Sequence, residues 1–583
     1  MMRRLTTCLL LATTPVASAG TVSCVWITGG PGSTGSWMES SNWRPSIVPG
    51  HTCCFINYYA SIGLPTTVEL PTNTTINALD IGFASTLRVN NGVYLDLREG
   101  LSNDGLIQIN GTTSVTTLIA SSVGSDFYIA GSGVIEFGGH PNSRFDDIGV
   151  PLIINGPNHT LAGAGALIRN GTAFRNEGIV VGSKSGELLT VDPASAGAVN
   201  TGQFKAINGG ILVLFGGNFD NTQGLVIAQA GSTVRLNTGL IIDGGTYQTE
   251  EDGEVRITAN VTVRNPLNQG VLVVEDTRSP IFTGIWTNHG DIYVDGQTAL
   301  TNVRLGSAGV ILQGTGTLTL GDSVHSQVSA TTSALLTHEA SHVIQGGGNL
   351  GGGLLWIVNL GTILGDSNVP LTIAPRSSGG LMNSGLIHAQ GFGGIVLHQN
   401  GHTNQETGDI FVQSKLTISN NTTLVNNGRL VLAEPTATIV SQGQLNQTST
   451  GSMTFTLGDG AYSQIYGIST MSLDGELIVV LEQGFVPAAG SYFDIIDDPT
   501  VSGTFATVTG PPGMEVMYHP NQVSLYFACP GDLGGDDTVN VIDLLALIAA
   551  WGPNPGHPAD LNGDGTVNLT DLLALIAAWG PCR

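Results

Sequence analysis

The sequence predicts a mainly β protein: a parallel β-helix, or solenoid, with β caps, followed by a small all-α C-terminal domain. Three observations carry this. Residues 60–460 show almost no helical periodicity; they are short apolar alternations such as Leu87-Arg-Val89 and Ile211-Leu-Val-Leu214, cut by Gly, Asn, Ser and Thr. The phrase Asn-x-Gly recurs through that region, each time followed by alternating apolar residues. The last fifty-odd residues hold one acidic loop-plus-helix pattern written twice.

Residues 1–19 read as a secretory signal. Arg3-Arg4 supply the positive start, Leu5–Val16 the apolar run, and Ala17-Ser18-Ala19 a small-residue cleavage site before Gly20. No later segment reaches the roughly 18 apolar residues of a membrane span. The expected location is therefore secreted, extracellular or at the cell surface. Cleavage leaves Cys24, Cys53, Cys54, Cys529 and Cys582. Cys24 is expected to pair with Cys53 or Cys54, and residues 20–60, with Trp26, Trp37 and Trp43, are expected to cap the solenoid. The net charge is −25, and lysine occurs only at 184, 205 and 415, which excludes nucleic-acid binding by charge.

The solenoid is expected over 61–460. Asn-x-Gly starts at Asn90, Asn103, Asn176, Asn200, Asn208, Asn268, Asn288, Asn359, Asn383 and Asn426. Asn and Gly both tolerate positive φ, so each phrase reads as a turn entering a strand. A longer duplication overlies these repeats. Asn103-Asp-Gly105, His159 and Asn176-Glu-Gly178 match Asn288-His-Gly290, His342 and Asn359-Leu-Gly361 at an offset of 183 to 185 residues. Residues 103–228 and 288–412 are thus read as two copies of one element. Rungs of this kind bury their faces only by stacking. A right-handed parallel β-helix is the best fit. A string of β-sandwiches is the runner-up, but aromatics are only 6% of the chain. Residues 461–528 are expected to close the stack with longer antiparallel strands at Leu477–Leu481, Phe493–Ile496 and Val523–Phe527.

The C-terminal repeat carries the chemistry. The second loop runs from Asp560 to Asp571, with Asp560, Asn562, Asp564, Asn568 and Asp571 at positions 1, 3, 5, 9 and 12, and Thr566 offering its carbonyl at position 7. Those are the oxygens that Ca2+ needs. Gly565 sits at position 6, where the loop turns sharply. The first loop offers Asp532, Asp536, Thr538, Asn540 and Asp543. It is poorer, because Gly534 removes the position-3 ligand and Asp537 replaces the glycine at position 6. One or two calcium ions are expected, the first loop binding more weakly. Val539 and Val567 are expected to pair as a short β bridge. Both following helices are apolar nearly all round and must bury against something. Cys529 and Cys582 flank the unit and are expected to clamp it.

This pair resembles the type I dockerin domain over residues 530–582. The resemblance implies a module ordered by calcium that binds a cohesin-like protein. In that family, loop positions 10 and 11 and a basic pair on the following helix contact the cohesin. Here those places hold Val541-Ile542 and Leu569-Thr570, and the basic pair is replaced by Ile548-Ala549 and Ile576-Ala577. Calcium binding therefore carries over better than cohesin binding. The whole arrangement, from Trp37…Asn42-Trp43…Val48-Pro-Gly50 onward, resembles large secreted proteins of environmental bacteria, planctomycete-type in style. The rungs are also similar to autotransporter adhesin passengers.

Catalytic signatures are weak. His140, Arg144, Asp146 and Asp147 cluster within one stretch but show no known spacing. Glu250, Glu251, Asp252 and Glu254 surround what reads as a hairpin tip. His159 and His342 are twins, which argues for packing. The reading is a structural or adhesive protein whose calcium module docks to a protein partner or a cell-surface component, while the solenoid offers a face to polysaccharide or other cells. The alternative is an enzyme, a glycoside hydrolase or polysaccharide lyase, or an accessory component in polysaccharide breakdown.

Overall fold

The computed structural model describes residues 20–50, 56–122, 124–169, 171–377, 379–399, 401–467, 470–497 and 500–582. The expected signal at 1–19 and the expected Cys24 partners Cys53 and Cys54 lie outside them; Cys24 itself is a buried thiol. The chain forms two compact units, Met1–Val255 and Arg256–Arg583. It is mainly β, a β-solenoid of about 18 turns, with two short helices at the C-terminus. Among the described residues, no helix is long and apolar enough to cross a membrane.

In each unit, most turns are made of three short strands, each pairing parallel with the one three places on. In the first unit Ala173–Asn176, Ile179–Gly182 and Leu188–Val191 pair with Ala198–Asn200, Gln203–Ala206 and Ile211–Leu214. In the second, Leu355–Asn359, Thr362–Gly365 and Leu371–Ile373 pair with Leu381–Asn383, Leu386–Ala389 and Ile395–Leu397. Side chains alternate inward and outward, so the inner ones stack in columns. One column runs Ile363, Ile387, Ile410, Leu430, all at most 1% exposed. Burying each such side chain is worth about 1.5–3 kcal/mol, realised only when a neighbouring turn covers it.

The recurrent Asn residues do something the turn reading did not anticipate. Of the ten, only Asn208 has a positive φ. Eight others end a strand and point their amides into the core, fully buried. There they bond from turn to turn. In the first unit the Nδ2 of Asn155, Asn176 and Asn200 donates to the Oδ1 of the next at 2.7–2.8 Å. In the second, Asn359, Asn383, Asn404, Asn426 and Gln447 are linked the same way at 2.7 Å. The steps are 20 to 24 residues. The glycines of the phrase are needed for close approach: a Cβ on Gly202 or Gly385 would lie 2.0 or 2.2 Å from the carbonyl oxygen of Gly178 or Gly361, one turn back.

Histidines bridge the columns where a turn supplies no amide. His159 Nε2 accepts from Asn103 Nδ2 at 3.0 Å, and its Nδ1 donates to Asn155 Oδ1 at 2.8 Å. Asn288 Nδ2 reaches His342 Nε2 at 3.0 Å; His342 Nδ1 meets His338 Nε2 at 3.1 Å; His338 Nδ1 meets Asn359 Oδ1 at 2.6 Å. Each ring must therefore be neutral, with its proton on Nδ1. Burial favours that form, lowering His159 and His338 to about 4 and His342 to about 3.

At its start the first unit has Gly20–Trp26 parallel to Ile56–Ile62 and antiparallel to Trp43–Arg44, with Trp26, Trp37 and Trp43 in buried edge contact. In the second unit parallel pairing continues to Thr507–Thr509. Of the three segments expected to be antiparallel, Tyr492–Asp497 and Gln522–Phe527 are so, with Met514–His519 completing a hairpin. Glu476–Leu481 instead stays parallel, against Ser452–Gly458, because its inward apolar alternation extends the columns.

Candidate functional site

The C-terminal module begins without a linker: strand Gln522–Phe527 ends two residues before Cys529. Cys529 and Cys582 form a disulfide that closes the unit. Each acidic loop leads into a nine-residue helix, α1 (Val541–Ala549) and α2 (Leu569–Ala577). Asn540 and Asn568 cap them, each side-chain oxygen accepting from the backbone two residues on at 2.7 Å.

The first loop draws its carboxylates together. Ligand atoms of Asp532, Asp536 and Asp543 lie within 4.8 Å of one another. Asp532 accepts from the amides of Gly535, Asp536 and Asp537, which curl the loop around it. In the second loop Asp560 likewise accepts from the amides of Asp564 and Gly565, while the three-carboxylate convergence is seen in the first loop. Asp543 and Asp571 close the two loops from the first helical turn. Burial works against their charge, but backbone N–H groups of Asn540, Gly534 and Leu533, and of Asn568, Asn562 and Leu561, outweigh it and hold both carboxyls below their ordinary value.

The donor set is all oxygen and fits a hard cation. Three carboxylates this close repel one another unless a positive charge sits among them, and calcium, when bound, supplies it. Gly534 marks the missing ligand of the first loop: a Cβ there would lie 3.3 Å from Asp543 Oδ1, directed at the same centre. Asp537 keeps the left-handed backbone of position 6 at φ 59°, where Gly565 has 84°. Asn540 and Asn568 turn their NH2 groups, not their oxygens, toward this ring. Asn540 Nδ2 lies 3.1 Å from Thr538 O and from Asp536 Oδ2; Asn568 Nδ2 lies 3.0 Å from Thr566 O and 3.3 Å from Asp564 Oδ2. Asn562 Nδ2 donates to Asp564 Oδ2 at 3.0 Å.

The loops do not pair with each other as expected. Val539 pairs with Gly580 and Val567 with Gly552, so each loop bonds to the tail that follows the other loop's helix. Gly552 and Gly580, at φ 112° and 125°, turn those tails back. Val539 and Val567 instead share the core with Leu547, Leu575 and Ala559. The helices bury only one stripe each. Val541, Ile542, Leu545, Ile548 and Trp551 on α1 and its end are 50–62% exposed, as are Leu569, Leu573, Ile576 and Trp579 around α2.

The other residues singled out in the sequence do not assemble a site. Asp146 has a buried, unpartnered Oδ1, and burial raises its carboxyl. Asp147 accepts from Thr172, and His140 from the Asn142 amide. Glu250–Gly253 is a turn after strand Thr246–Thr249, which pairs parallel with Leu225–Ala228; it is no hairpin tip, because a solenoid strand pairs with the next turn and not with its chain neighbour. His159 and His342 belong to the amide columns.

Residues 530–578 match the Dockerin type I domain. No curated protein matches the chain, and no solved structure does. Dockerin domains bind calcium and dock to cohesins, and the acidic cluster of Asp532, Asp536 and Asp543 lies within the matched stretch.

Proposed function

We propose that this is a secreted structural or adhesive β-solenoid protein that docks to a protein partner or a cell-surface component through its calcium-ordered C-terminal module. The division of labour is a leader at 1–19, a solenoid capped by residues 20–60 and 461–528, and a module at 529–583. Calcium is held by Asp560, Asn562, Asp564, Thr566 and Asp571, and less completely by Asp532, Asp536, Thr538 and Asp543, with Asn540 and Asn568 contributing through water. The observation that carries the reading is the apolar face of α1 and α2. A soluble module does not leave so many large aliphatic and Trp side chains in water without a use for them. Because the face is apolar where cohesin-binding modules are basic, its partner presents apolar and not acidic groups.

The test is retention of the full chain on an immobilised cohesin module and on a bacterial envelope fraction, with calcium and with EDTA. The expected result is calcium-dependent retention that Leu545→Asp with Leu573→Asp abolishes. Retention unchanged by EDTA and by the double variant would refute it.

A further inference from the structure

The first unit carries a cavity of about 440 Å³ on the outer face of one solenoid sheet, formed by strands Gly20–Trp26, Ile56–Ile62, Thr74–Ile81 and Tyr94–Asn103. We infer that this trough binds a neutral oligosaccharide. The inference extends the reading above to what the solenoid presents, and it involves neither calcium loop.

The floor is made by absence. Tyr59, Ala78 and Gly100 stand side by side on three neighbouring strands, so two small residues follow the tyrosine along the floor; Tyr128, on the next strand, turns its hydroxyl toward Gly156 and lies outside the lining. Tyr59 is held in place. Its hydroxyl donates to Glu99 Oε2 at 2.7 Å, and Glu99 Oε1 accepts from Asn77 Nδ2 at 2.8 Å. Asn77, nearly buried, is fixed in turn by the Tyr58 amide at 3.1 Å. A clamped aromatic ring of this kind offers an apolar plate at little entropic cost.

Beside the plate runs a polar row. Ser61, Asp80 and Ser102 are neighbours on three adjacent strands, and Ser61 Oγ donates to Asp80 Oδ2 at 2.9 Å. Asp80, an exposed residue, is thereby oriented through one of its two oxygens. A pyranose has an apolar C–H face and a rim of hydroxyl donors, which match a tyrosine plate and an oriented carboxylate. No Lys or Arg is among the described lining residues, while Asp80 lines the cavity and Glu99 borders it. Uronate and sulfated sugars are therefore repelled.

The experiment is isothermal titration of the full chain with cellotetraose, mannotetraose and N-acetylchitotetraose, with tetragalacturonate as the anionic probe. At least one neutral tetrasaccharide should bind at one site. Tyr59→Ala and Asp80→Ala should each weaken it about tenfold or more. Gly100→Val should abolish it, because a Cβ at Gly100 meets nothing nearer than the Tyr128 carbonyl oxygen at 3.6 Å and fills the floor without displacing the backbone. Binding should persist in EDTA, which removes partner docking and so separates the two readings. Failure of all three neutral probes, equal affinity in Gly100→Val and Asp80→Ala, loss in EDTA, or tighter binding of tetragalacturonate would each overturn the inference.

Discussion

Replacing Asn383 with alanine should locally unlock the second unit's amide column. Asn383 accepts from Asn359 Nδ2 and donates to Asn404 Oδ1, both at 2.7 Å, and also donates to the carbonyls of Gly385 and Asp409 at 3.2 and 3.1 Å. Alanine leaves Asn359 two other acceptors, Gly361 and Leu386, but strips the buried Asn404 Oδ1 of its amide donor. An orphaned buried acceptor costs about 1–3 kcal/mol, and the space left by the amide adds to that, so about 2–4 kcal/mol is expected. A solenoid opens in pieces, so a global midpoint is a poor gauge. Hydrogen exchange is the suitable assay. Protection of amides in Leu381–Asn383 and His402–Asn404 should fall about thirty-fold to a thousand-fold. Asn90→Ala, which removes an Asn-x-Gly residue outside the column, serves as control. A loss in Asn383→Ala no larger than in the control would refute the view that the amides bear load.

Acidification should loosen the same columns: His338 and His342 have folded pKa values depressed to about 4 and 3 from 6.5, so their stabilisation is complete above pH 6.5 and declines as pH falls toward 4. The slope is about 1.4 kcal/mol per pH unit for each histidine, and exchange protection that stays flat from pH 7 to 5 would contradict it. Asp560→Ala with Asp564→Ala should abolish calcium-induced protease resistance of residues 530–582; unchanged resistance would mean that calcium does not order the module. Cys529→Ser with Cys582→Ser should destabilise the module by about 4 kcal/mol, from the entropy of the 53-residue loop that the bond closes. A calorimetric transition of the module unaffected by that change would show that the loops alone suffice.

The solenoid was legible because its units repeat: short alternations and a recurring Asn-x-Gly need no partner segment to be recognised. The Asn-x-Gly phrases do join one strand to the next, as at Asn176 and Asn383, but the role of the asparagines was not legible, because propensity describes the backbone whereas these side chains matter for where they point. A signal existed. Asn359 and Asn383 share strand parity with the buried Ile357 and Leu381, two residues earlier, which places all four on the inner face. The acidic loops were legible in the sequence because their carboxylates lie within one short stretch, and those of Asp532, Asp536 and Asp543 do converge. The outer face of α1 and α2 was not, because an all-apolar helix gives no sign of which stripe is covered. The trough was invisible for a different cause. Tyr59, Ala78 and Gly100 meet only through a register that unequal turn lengths and the irregularity between Ile76 and Ala78 set.

Within each column every amide and ring passes its proton forward in one sense, from Asn268 through Asn288, His342, His338 and Asn359 to Gln447, whose Nε2 ends the run without an acceptor among the described residues. Such a column has a head and a tail, like a growing polymer. A whole turn inserted anywhere along it presents an acceptor to the turn before and a donor to the turn after, and joins without a seam. A fraction of a turn offers neither. Insertion or deletion of a complete turn therefore preserves the column, and any other change of length breaks it.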